Sequence, residues 1–136
     1  MQIIIVGCGN VGTTLTEQLS KEGHNITVVD MDAKKAESVA NRFDVMGIVG
    51  NGASFTVQNE AGIEAADLMI AVTTSDELNL LCCLIARKAG GCNTIARVRN
   101  PIYNKEITYI KEELGLSMVI NPEYAAASEI ARLLKF

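Results

Sequence analysis

Ile3-Ile4-Ile5-Val6-Gly7-Cys8-Gly9-Asn10-Val11-Gly12 decides the fold: an apolar run, then a G-x-G-x-x-G loop, then a segment of helical periodicity. A second apolar run, Ile26-Thr27-Val28-Val29, closes on Asp30. Strand, glycine turn, helix and an acid ending the next strand form the dinucleotide-binding fingerprint, each part in its required context. Gly7 permits the tight turn, Gly9 lets the backbone approach a pyrophosphate, and Gly12 lets the helix pack closely on the sheet. The helix N-terminus then offers unpaired N–H groups and partial positive charge to phosphates. Asp30 is placed to accept hydrogen bonds from the ribose 2′ and 3′ hydroxyls. That carboxylate predicts NAD(H) over NADP(H), because it repels a 2′-phosphate.

Working outward, 136 residues fit one domain with a core of its own. A hydrophobic content of 49% with 4% aromatics suits an α/β sheet built on Val, Ile, Leu and Ala. The net charge is −4 and no stretch concentrates Lys and Arg, so nucleic acid and anionic membrane surfaces are poor partners. Gln2 and a short strand stand where a signal peptide would carry its basic and long apolar regions, so none is expected. No apolar run approaches the ~20 residues that span a bilayer, so a membrane connection is expected only through a partner protein. Cys8, Cys82, Cys83 and Cys92 show no CxxC or Cys/His spacing and are expected as free thiols in a reducing compartment. His24, after Gly23, is expected as a solvated turn residue.

Strand and helix patterns alternate from end to end. Strands are predicted at 2–7, 25–30, 45–50, 68–73, 94–99 and 117–121. The first helix, about 11–22, should bury Val11, Leu15 and Leu19 and stop at Gly23. The second follows Asp32 as N-cap, with Ala36, Val39, Ala40 and Phe43 on one face. A short third runs from Ser54 toward Ala61 and ends at Gly62, and a fifth, near 103–114, should bury Tyr103, Ile107, Ile110 and Leu114. Right-handed crossovers force a parallel sheet with helices on both faces. The expected class is a doubly wound (Rossmann) α/β fold, six parallel strands in the order 3-2-1-4-5-6, with the ligand crevice at the carboxyl ends of strands 1 and 4.

That geometry nominates further residues. Gly50-Asn51-Gly52-Ala53, after strand 3, is small enough to admit an adenine beside Asp30 and Met31. Thr73-Thr74-Ser75-Asp76, after strand 4, faces the same crevice, with helix capping as the plainer role for Ser75 and Asp76. Arg97 and Arg99 alternate on strand 5 and so share a face. They suggest a phosphate or carboxylate partner, or a salt bridge to a neighbouring subunit.

Two segments look made for assembly. The helix at 76–89 needs one apolar stripe, which 78, 81, 82, 85 and 89 supply. Leu80, Cys83 and Leu84 are then surplus, so the helix should be buried all round or covered by another subunit. The last helix starts at Asn121 and Pro122, carries Ile130, Leu133, Leu134 and Phe136, and ends without a polar cap. We therefore expect residues 1–121 to be the dinucleotide-binding core. Residues 122–136 are then a crossover and assembly helix cut short before a missing domain.

With these residues in place, the chain resembles the TrkA family of potassium-uptake regulators, specifically their N-terminal RCK (KTN) domain. The resemblance rests on the opening 1–12 and on Asn25-Ile26-Thr27-Val28-Val29-Asp30 and Gly62-Ile63-Glu64-Ala65-Ala66-Asp67. It continues in Thr73-Thr74-Ser75-Asp76-Glu77-Leu78-Asn79, Ala96-Arg97-Val98-Arg99-Asn100-Pro101 and Asn121-Pro122-Glu123. Many relatives carry an acid or histidine where Asn51 stands, a departure at the adenine contact. The resemblance implies a non-enzymatic sensor that binds NAD(H), and often ATP or ADP, on the cytoplasmic face of a membrane potassium channel or transporter. It further implies homodimers or rings, here through the 76–89 and 122–136 helices, and a C-terminal ligand-binding domain in relatives. Carried over by position, Gly7, Cys8, Gly9, Asn10 and Val11 would hold the pyrophosphate and Asp30 the adenosine ribose. Thr73 and Thr74 would form the crevice floor, and Arg97 would meet the phosphates.

The rival is an NAD-dependent oxidoreductase fragment, because fold alone does not settle function. Six predicted strands and six helices account for the chain and leave no substrate domain. No Tyr-x-x-x-Lys pair exists, and His24 lies on the wrong side of the first helix. An S-adenosylmethionine methyltransferase shares the glycines and the acid, but Gly12, spaced for helix packing, favours the dinucleotide.

Overall fold

The computed structural model describes residues 1–114 and 116–120. In chain order its first half runs β1 (Gln2–Val6), α1 (Asn10–Lys21), β2 (Asn25–Asp30), α2 (Ala33–Phe43), β3 (Met46–Val49) and α3 (Phe55–Glu60). The second half runs β4 (Leu68–Ala71), α4 (Asp76–Gly90), β5 (Asn93–Arg97), α5 (Asn104–Leu114) and β6 (Leu116–Ile120). Single 3₁₀ turns cover Ile63–Ala65 and Pro101–Tyr103. All neighbouring strands are parallel, in the order β3-β2-β1-β4-β5-β6. This is the doubly wound sheet that the alternating pattern predicts.

β1 is apolar at successive positions because a central parallel strand is covered on both faces. Ile3 and Ile5 pack with Leu15 and Leu19 of α1 and Val39 of α2. Ile4 and Val6 face the other way, in a second core with Ile63, Cys82, Cys83, Ala86 and Ile107. Side-chain alternation with period two thus splits one strand between two cores. Asp32 caps α2 through its side chain, as expected, and Ser54 does the same for α3. Gly23, at φ +88°, ends the α1 turn, and His24 is half-buried, with Nδ1 3.0 Å from the N-terminal amine.

Three expectations are corrected. The strands expected at 68–73 and 94–99 stop at Ala71 and Arg97, because side chains of α4 take the backbone N–H groups beyond. Asn79 Oδ1 accepts from the N–H of Thr73 at 2.8 Å, and Asp76 Oδ1 from that of Arg99 at 3.0 Å. Consequently Arg97 and Arg99 do not share a strand face: Arg97 is half-buried at the end of β5, while Arg99 is exposed and donates to the Thr74 carbonyl. Finally, α4 buries Asp76, Asn79, Cys82, Cys83 and Ala86, a stripe rotated from the one expected. Leu81 and Leu84 stand 47% and 40% exposed, so the helix is not buried all round within one chain. Ile107 of α5 is buried as expected and Tyr103 is half-buried, whereas the side chains of Ile110 and Leu114 and the helix expected at 122–136 lie outside what is described.

A Cβ on Gly12 would stand 1.8 Å from the Gly7 carbonyl oxygen, a backbone atom that cannot step aside. Gly12→Ala should therefore lower stability by about 2 kcal/mol or more in urea unfolding. A change within about 0.5 kcal/mol would mean that the loop can yield. Burial pushes the Cys82 and Cys83 thiols up to about 12, and only the thiolate reacts readily. Iodoacetamide at pH 8 should spare both in the folded protein and label both in denaturant, as read by peptide mass mapping.

Candidate functional site

The carboxyl ends of the central strands open on a crevice of about 360 Å³. It lies where the chain order reverses, between β1, whose Val6 pairs with Val29, and β4, whose Ala71 pairs with Val6. Gly7, Gly9, Asn10 and Val11 form one wall; Asp30, Met31 and Gly52 form a second; Thr73, Thr74 and Arg97 form a third. Twelve of the residues nominated from sequence, Gly50 and Ser75 among them, thus meet at one hollow. Ala53, Asp76 and Arg99 lie outside its lining, and so do three more. Cys8 turns its side chain into the core beneath α1, Gly12 lies inside that helix against Gly7, and Asn51 is committed to its own turn, accepting from the Ala53 N–H at 2.9 Å.

Each wall is held by specific bonds. Gly7 adopts φ +114° with its α-carbon against the Val72 carbonyl, where a Cβ would stand 2.9 Å from the oxygen. The loop therefore lies flat across the end of β4. No side chain caps α1, and its first turn carries no acid, so its leading N–H groups point at the crevice with their positive partial charge uncompensated. Asp30 accepts the Cys8 N–H on Oδ2 and the Asp32 N–H on Oδ1, both at 2.8 Å. These bonds fix the carboxylate at the crevice edge and leave lone pairs on both oxygens. Gly52 packs so tightly on β1 that a Cβ would stand 2.3 Å from Val6 Cγ1.

Sequence reasoning missed the two buried amides behind this wall and floor. Gln58 donates from Nε2 to the Gly52 carbonyl at 2.8 Å and to the Cys82 carbonyl at 3.1 Å, fastening the loop after β3 to α4. Asn79 ties Thr73 to the end of β5. A polar residue within the apolar run 78–86 was the available signal for Asn79; Gln58, on a short helix, gave none. Lys35, Gly50, Ser75 and Leu78 also line the crevice. Ser75 is the N-cap of α4, accepting from the Leu78 N–H at 3.1 Å. Asp76 does not cap that helix: it is buried and accepts the N–H groups of Arg99 and Asn100.

Arg97 supplies positive charge at the floor. Its Nη1 reaches the Val72 and Thr73 carbonyls at 3.4 Å each, while its buried Nε has no hydrogen-bond partner among the described residues. Burial, then the nearby Arg99 charge, pulls its pKa down. A buried donor without an acceptor marks a place where an anion or carbonyl would be favoured. Among the described residues no cluster of His, Cys, Asp and Glu could hold a metal ion, and no helix is long and apolar enough to cross a membrane.

Residues 3–122 match the TrkA-N domain family. The Trk system potassium uptake protein TrkA of Halomonas elongata is 39% identical over 137 residues, covering 99% of this chain and 30% of that protein. The chain therefore spans under a third of this relative's length. Among solved structures, the TrkA-N domain of the inner membrane protein ybaL from Escherichia coli superposes with a TM-score of 0.78 at 26% identity, covering 98% of this chain and 93% of that one. The GsuK channel bound to NAD superposes with a TM-score of 0.73 at 23% identity, covering 88% of this chain and 21% of that one. At 22% identity, 88% of this chain and 31% of that one, the same channel bound to ADP also gives 0.73. At that identity the channel shares the fold. With the family pattern running through 3–122 and its fold built around the crevice, the chain belongs to the TrkA-N domain family.

Proposed function

We propose that this chain is the nucleotide-sensing part of a potassium-uptake regulator, binding NAD(H), ATP or ADP in the crevice between β1 and β4. The observation that carries the reading is Gly9. Its φ of −79° suits any residue, and a Cβ there would meet nothing within 4 Å. The fold itself does not require glycine at this position; an approaching diphosphate does. The uncapped α1 terminus supplies the charge, Asp30 the ribose acceptors, Gly52 and Met31 the adenine wall, and Arg97 a cation for further phosphates.

The relatives' potassium uptake function, and the NAD and ADP held by the GsuK channel, support assigning the same ligands and a membrane potassium transporter or channel as partner. The ionisable side chains lining the crevice are Asp30, Lys35 and Arg97. None resembles the His or Tyr/Lys pair that would move a proton during hydride transfer, which supports a sensor over an oxidoreductase. Residues 1–121 are then the binding core, at the cytoplasmic face of the membrane, with the outward side of α4 and residues 122–136 making dimers or rings. A nucleotide acts on such an assembly only through unequal affinity for its two states, on a usual scale of about 1–3 kcal/mol.

Calorimetric titration of the chain should show binding of NADH, ATP and ADP but not S-adenosylmethionine, with NADH at least about tenfold tighter than NADPH. Preference for S-adenosylmethionine, or for NADPH, would overturn the assignment. Gly9→Val should abolish nucleotide binding while costing the fold only about 1 kcal/mol, the usual penalty for an aliphatic residue at a helix N-cap, since the side chain projects into the crevice and not into protein. Arg97→Ala should weaken ATP about tenfold more than NADH, if the third phosphate is what the guanidinium meets. Equal weakening of both would remove Arg97 as the discriminating residue.

A further inference from the structure

Asn79 is fully buried and uses all the hydrogen-bonding capacity of its side chain on the crevice floor. Its Oδ1 accepts the Thr73 N–H at 2.8 Å and the Thr73 hydroxyl at 2.7 Å. Its Nδ2 donates to the Thr73 carbonyl at 3.1 Å and to the Arg97 carbonyl at 2.8 Å. One side chain on α4 therefore grips Thr73 at three atoms and ties it to the end of β5. The Thr73 carbonyl is also an acceptor for the Arg97 guanidinium, so Asn79 and Arg97 meet on the same oxygen.

The adenosine side of the crevice is held by other bonds. There Asp30 is fixed by the Cys8 and Asp32 N–H groups, and Gly52 by Gln58. None of these involves Asn79. Both halves lean on α4, where Gln58 reaches the Cys82 carbonyl, but different side chains hold them, so removing the Asn79 bonds should leave the Asp30 and Gly52 side standing.

We propose that Asn79 is a positioning residue for the half of the crevice beyond the first phosphate: by locking Thr73 to the end of β5 it sets where the Arg97 guanidinium meets a bound nucleotide. The proposal rests on the nucleotide-binding reading above and adds a division of labour to it. AMP, confined to the Asp30 and Gly52 side, does not sense this support. NADH and ATP, which extend over Thr73 and toward Arg97, do.

The test is a comparison of ligands on the same variants. Asn79→Asp keeps the shape and the acceptor but loses the two donations from Nδ2. Asn79→Ser leaves room for a water to bridge and guards against a fold too weakened by a buried charge. In whichever variant retains a cooperative thermal transition, ATP should weaken about tenfold and NADH by less, though more than AMP, which stays within about twofold of the parent. A merely structural role would lower all three together through the folded fraction, and that result, or no change in any of them, overturns the proposal. If the parent chain itself bound neither AMP nor NADH, the nucleotide reading would fail first, which is a distinct outcome.

Discussion

Everything in this domain depends on the contact between Gly7 and Gly12. The α1 helix can lie across the end of β1 only because no Cβ intervenes at Gly12, where the Gly7 carbonyl already occupies the space. Gly7 in turn lies against the Val72 carbonyl, so the same closeness brings the loop over β4. Two backbone-to-backbone approaches thereby put a helix terminus, with its unspent N–H groups, above the gap between two strands. The crevice is the space left over by this arrangement.

The frame was legible because its determinants are local. Strands read from continuous apolar runs, the α2 cap from Asp32, and helix ends from Gly23 and Gly62, since each is a short-range matter of sterics and backbone hydrogen bonding. The glycine loop and Asp30 were legible for the same reason. The strand ends at Ala71 and Arg97 were not, because long-range side chains decide them: Asn79 and Asp76 take backbone groups that a ladder would otherwise use. The phase of α4 failed on the same residues. Hydrophobic periodicity treats Asp76 and Asn79 as solvent-facing, whereas both are buried with their polar atoms satisfied, a situation apolar counting cannot register. Position and small size point to Asn51, but neither reveals that its side chain serves its own loop.

These polar contacts also explain how a small domain holds a defined hollow. Buried amides are costly unless satisfied, and once satisfied they fix geometry more narrowly than apolar packing does. Asn79 meets this condition completely. Gln58 meets it through its two donations while Oε1 has no partner among the described residues, so the wall after β3 is held by one fewer bond than its amide allows.

The knot at the floor is made of amide, hydroxyl and carbonyl groups, neutral throughout apart from the arginine that leans on it. Coulombic screening by mobile ions, with a Debye length of about 8 Å at physiological ionic strength, barely reaches neutral, buried dipoles. It does reach the attraction between a phosphate and the half-exposed guanidinium or the α1 terminus. Rising electrolyte concentration would therefore loosen the grip on any anion bound there while the shape beneath it stays constant, so the medium would tune how strongly such a ligand is held without altering which ligand fits.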